Sequence, residues 1–184
     1  VPEEQILRVE TCNTINVYKA VNSILASLAN YKDIQIVFGG VPSTNGKTVY
    51  LGEPPTHSQD ALDAYLAHGT HEIHHVLFTD FTNISKLGGL HPLVNALEDV
   101  RIDAIGYRKT PGTYFWRETY LERMLKRGRL PEVNEKTSPA KLLCLGLYWH
   151  MTDKTLGYSF THVLSQSAQN EFIRRFGTDL YEEL

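Results

Sequence analysis

Cysteine is scarce. The chain has two, Cys12 and Cys144, which allow at most one bridge, so no disulfide framework can hold the fold. Neither has a C-x-x-C partner, which leaves a thiolate zinc site unsupported, and a reducing, cytoplasmic setting is the expectation. Cys144 lies within Leu142-Leu143-Cys144-Leu145 and reads as a buried thiol. No apolar run approaches the length of a membrane span, and no signal-peptide pattern is present. Positive charge is not in excess either. Lys and Arg number 18 against 21 Asp and Glu, a net charge of −3, so no global field draws nucleic acid or a membrane surface. The densest basic run, Arg123, Lys126, Arg127 and Arg129, is interleaved with leucine and methionine and reads as the solvated face of a helix. Internal repeats and low-complexity segments are also missing.

What is present is ordinary globular material. A chain of 184 residues with 42% hydrophobic content can bury a substantial core, and we expect a single domain over 1–184. From Glu10 to Tyr31, apolar residues recur at three and four (Ile15, Tyr18, Val21, Ile24, Leu25, Leu28), predicting a helix. Lys32 to Phe38 alternates and predicts a strand, broken by Gly39-Gly40. Pro42 to Gly46 is turn material ending in Asn45-Gly46, and Lys47 to Leu51 predicts a second strand. A helix follows from Ser58 to about Asp80, then a loop over 79–89. Further helices are predicted near Pro92–Tyr107, Tyr114–Lys126, Ser138–Met151 and His162–Phe176. Ser138-Pro139 forms a cap and first-turn pair, and Gly177 suits the end of a helix. The stretch 178–184 begins another capped helix and stops, as a chain cut from a longer parent or a frayed natural terminus would. The order predicts an α+β fold: a small sheet, expected to be antiparallel, on a predominantly helical body. Strands and the central helix occupy 1–90, and a helical part occupies 91–184.

The central helix carries His71-Glu72-Ile73-His74-His75, an H-E-x-x-H motif. Residues four apart share a helix face, so His71 and His75 can grip one metal ion while Glu72 takes a proton from a water that the ion activates. The helix separates two stripes. Leu62, Leu66, Ile73, Val76 and Leu77 form one, and Ala64, His68, His71, His75 and Thr79 form the other, so the two histidines lie largely off the core stripe. The plainer alternative is a histidine-rich helix with solvated imidazoles.

A catalytic zinc ion needs a third protein ligand and an open position. The next helix offers Leu97-Glu98-Asp99-Val100-Arg101-Ile102-Asp103. Glu98 is the expected ligand, since its neighbours lie off the Leu93/Leu97/Val100/Ala104 stripe. Asp99, with Asp103 one turn on, is the alternative as ligand or as a group orienting a ligand histidine. Two adjacent acids beside Arg101 would otherwise read as a solvated, ion-paired face. Among the other histidines, His68 shares the motif face but would crowd the pair as a ligand and is expected behind the ligands or at the cleft rim, His74 points away as a hydrogen-bonded, partly buried imidazole, and His91 suits a helix start more than a ligand. His57, His150 and His162 have no metal-ligand spacing.

These motifs resemble zinc metallopeptidases of the gluzincin type, which carry H-E-x-x-H on one helix and an acidic ligand on a later one. The pairing of His71–Thr79 with Asn95–Ile102 is more specifically similar to bacterial and bacteriophage metallopeptidases related to the cobalt-chelatase subunit, some of which carry a von Willebrand A-type domain downstream. The resemblance covers about Lys47 to Tyr107. It implies a zincin-like fold and one Zn²⁺ on His71, His75 and Glu98. It also implies Glu72 as general base, a polypeptide substrate, and a tyrosine or histidine oxyanion donor, for which Tyr107, Tyr114 and His150 are candidates. The strand Lys47–Leu51 resembles the edge along which such enzymes align a peptide. Two departures matter. Phe78 and Phe81 stand where the metzincin extension needs glycine and a ligand. The gluzincin aspartate four residues after the acidic ligand is missing for Glu98, where Ile102 stands, and present for Asp99, as Asp103. The rival reading is a non-enzymatic metal-binding or assembly module, as a chelatase subunit is. Metal-assisted hydrolysis of another substrate is a third.

Overall fold

The computed structural model describes residues 19, 23–28, 34–52, 58–84, 86 and 88–182. Helix predominates among them, with one small mixed sheet, so the α+β expectation holds at that level. Most of the first predicted helix, the strand residues before 34, and Cys12 and His57 lie outside the described residues, while 23–28 (α1) is helical as expected. The chain divides into two compact units, residues 1–79 with 110–120, and residues 80–109 with 121–184.

In the first unit, β1 (Gln35–Phe38), β2 (Ser43–Thr44) and β3 (Thr48–Leu51) form a sheet in the order β1-β3-β2. The antiparallel expectation is only half met. β3 pairs antiparallel with β2, Thr44 opposite Val49, but parallel with β1, Gln35 opposite Thr48. The reason is local. Asn45-Gly46 does reverse the chain, with Gly46 at φ 90° and the Asn45 Oδ1 accepting from the backbone N–H groups of Lys47 and Thr48. The strand it folds back, however, is the short Ser43–Thr44 segment, which by composition is turn material. Gly39 and Gly40, at φ 114° and 97°, carry the chain out of β1, and β1 is left to pair on the other side of β3. Val49 and Leu51 point from β3 into a core with Leu25 and with Tyr65, Leu66, Ile73 and Val76 of helix α2 (Gln59–Phe78); Trp116 packs on its margin.

In the second unit, α3 (Phe81–Ile84) and a short 3₁₀ turn (Gly88–Leu90) occupy the predicted loop. α3 starts because the Asp80 carboxylate accepts from the backbone N–H groups of Thr82 and Asn83, a helix-initiating cap. Then come α4 (His91–Lys109), α5 (Gly112–Lys126, whose first turns belong to the first unit), α6 (Pro139–Thr155), α7 (Thr161–Phe176) and α8 (Thr178–Glu182). α6 packs on α4 and α7, with Leu142, Trp149 and Ala168 buried. Ser138 caps α6 through its hydroxyl and Gly177 ends α7 at φ 88°, as the sequence predicts. Arg175 ties the preceding loop down by donating to the carbonyls of Asn134 and Thr137. Cys144 is half-buried rather than buried. No helix among the described residues is long and apolar enough to cross a membrane.

Candidate metal centre

Helix α2 begins where Ser58 accepts from the Ala61 N–H, and it ends where the Thr79 N–H caps the His75 carbonyl at 2.9 Å. Between these ends it presents two faces. Leu66, Ile73 and Val76 enter the core with β3, as the apolar stripe predicts. Gly69 makes the approach possible: a Cβ there would lie 2.8 and 3.0 Å from the two Leu25 methyls and 3.4 Å from a Leu51 methyl.

The other face carries the motif. His71 and His75 are 7% and 8% exposed, and their rings meet edge to face at 4.8 Å between centroids. Solvated imidazoles are therefore excluded, for these two and for His74, which is also buried and lies beside Phe78. His75 Nδ1 sits 3.0 Å from the Thr79 hydroxyl. Glu72, next to His71 on the helix, is half-buried. His68, one turn before, packs edge-on against Tyr120 at 4.7 Å. Burial, then the positive charge of buried Arg117, then His71, lower its pKa from 6.5 to about 4, so it is neutral at pH 7.

The acid brought to this pair is Asp99. His71, His75 and Asp99 each offer one ligand atom, and these atoms all lie within 4.8 Å of one another; the group could hold a metal ion. Two imidazole nitrogens and a carboxylate oxygen are a donor set that transition-metal ions accept. Glu98, the expected third ligand, is not in this group. Arg101 grips its carboxylate with two bonds of 2.6 and 2.7 Å, and this pairing raises the Arg101 pKa. The reason lies in the helix: adjacent residues are about 100° apart, so only one of two neighbouring acids can face a given point. Glu98 turns to its i+3 arginine, while Asp99 lies on the line of Asn95, which reaches it at 3.4 Å, and of Asp103, which is 3% exposed. The signal was in the sequence: Asp99, not Glu98, has an aspartate four residues on.

Other expectations fare unevenly. Tyr107, an oxyanion candidate, has its hydroxyl 2.8 Å from that of Tyr158, and both rings are buried in the second unit. Tyr114 hydrogen-bonds Glu118; burial and this neighbour raise its pKa. His91 opens α4 and is exposed, His150 is half-buried on α6, and His162 lies 3.5 Å from Asp153. The strand Lys47–Leu51 is not an edge: β3 is central, flanked by β1 and β2, because the short β2 segment covers the side expected to be open. Comparison of the chain with protein-family models, with curated proteins and with solved structures finds no match.

Proposed function

We propose that this protein is a zinc-dependent metallopeptidase of zincin-like architecture, acting on polypeptides in the cytoplasm. The observation that carries the reading is the His71/His75/Asp99 group, with a glutamate placed next to the first histidine. Neither a structural site nor a storage site has use for that glutamate, and three protein donors leave a position that a structural zinc site normally fills with a fourth. The resemblance of the two helices to gluzincins of bacterial and bacteriophage type supports the same conclusion. His71, His75 and Asp99 would hold the ion. When bound, zinc supplies a Lewis acid that brings a water pKa toward neutrality and polarises a carbonyl. Glu72 accepts the proton of the attacking water and returns it to the leaving amine.

The test is the metal content of the purified protein together with hydrolysis of a mixed peptide library by wild type and Glu72→Gln. The expected result is one zinc per chain in both proteins, with hydrolysis lowered in the variant by roughly 10²–10⁴-fold. Full activity in Glu72→Gln would remove Glu72 as the base. Zinc retained without hydrolysis by wild type would favour the non-enzymatic assembly module.

A further inference from the structure

We propose that Thr79 is a positioning residue that fixes the tautomer of His75; the proposal rests on the metal-centre reading above. Thr79 makes two contacts to one residue. Its backbone N–H closes α2 on the His75 carbonyl at 2.9 Å, and its hydroxyl lies 3.0 Å from His75 Nδ1. The cap residue sits at φ −88°, ψ 134°, extended backbone that a β-branched side chain favours, so the hydroxyl is held by the same geometry that ends the helix. A neutral imidazole carries its proton on one nitrogen; a hydroxyl can accept from Nδ1–H or donate to a bare Nδ1, and only the first arrangement leaves Nε2 free to be the ligand. When the Thr79 oxygen accepts from Nδ1–H, Nε2 keeps its lone pair as the ligand. The opposite tautomer would place a proton on Nε2 and close it to the ion. His75 lies in the last turn of α2, so the cap residue is within reach of its ring and offers a local contact that holds it.

Thr79→Val tests this cleanly, because valine keeps the branched shape and the backbone cap and loses only the hydroxyl. Thr79→Ser restores the hydroxyl. In metal-free protein with ¹⁵N-labelled histidine, long-range ¹H–¹⁵N correlation reads the His75 tautomer. Titration with Co²⁺ reads affinity, with His75→Ala marking loss of the site. The expected result is an Nδ1–H tautomer in wild type and Thr79→Ser, loss of that preference in Thr79→Val, and Co²⁺ affinity lower on the order of 10–100-fold in Thr79→Val alone. An Nε2–H tautomer in wild type, or a Thr79→Val protein matching wild type in tautomer and affinity, overturns the proposal. A wild type that binds no Co²⁺ would sink the metal reading instead, and the tautomer comparison would still decide the role of Thr79.

Discussion

Replacing Gly69 by alanine pits two effects of known sign against each other. In a helix interior, Gly→Ala normally stabilises by about 0.5–1 kcal/mol, because the unfolded chain loses freedom and the helix gains a better former. At Gly69 the added methyl would meet Leu25 at 2.8 and 3.0 Å and Leu51 at 3.4 Å, the first two closer than van der Waals contact allows. Leu25 and Leu51 are fully buried, so their methyls have no solvent to swing into. Forcing a methyl into such a core costs about 1–3 kcal/mol. The packing term exceeds the helix term, and Gly69→Ala should lose about 1 kcal/mol, read as a lower urea midpoint at unchanged slope. Gly146 supplies the control. It is also inside a helix, α6, but a Cβ there meets only Ala168 at 3.8 Å, an ordinary contact. Gly146→Ala should therefore gain about 0.5–1 kcal/mol. If both variants gain, or Gly69→Ala equals wild type, the α2–β3 approach is looser than described and the reasoning fails.

Two further outcomes follow from the site. Asp99→Asn should abolish tight zinc binding, whereas Glu98→Gln, which loosens the Arg101 pair, should leave affinity within a few-fold of wild type; calorimetric titration of both separates the two acids. His68 should titrate near 4 in the metal-free protein, followed by its imidazole proton shifts. Its folded pKa lies below the unfolded value of 6.5, so the unfolded state binds the extra proton. Stability should thus fall as pH drops from about 6.5 toward 4 and be flat above, and His68→Phe should flatten that acid limb.

Much of this was legible because it is written in local pattern. The two stripes of α2, the Ser58 and Ser138 caps and the Gly177 stop each depend on residues a few positions apart, and the structure places them as read. The burial of His71 and His75 did not follow from the pattern, because both lie off the apolar stripe of the helix. What local pattern does not encode is partner choice. Whether β1 or β2 lies beside β3 depends on which short segment reaches it, and a two-residue strand has almost no periodicity to read. Which acid groups with the two histidines is likewise set by a competing arginine three residues on from Glu98, and by an aspartate a turn from Asp99 whose burial no single-residue propensity announces.

The sheet also fixes an order of events along the chain. All three strands and both ladders lie between Gln35 and Leu51, so during synthesis each strand has its partners before any residue of α2 has been made. The connections are short, and closing them costs little entropy. Yet Val49 and Leu51, on the face that α2 later covers, are then without that cover until the ribosome has moved on by a full helix. The segment that carries His71 and His75 is thus also the lid of the first unit's core, and a growing chain cannot finish that core without delivering both histidines.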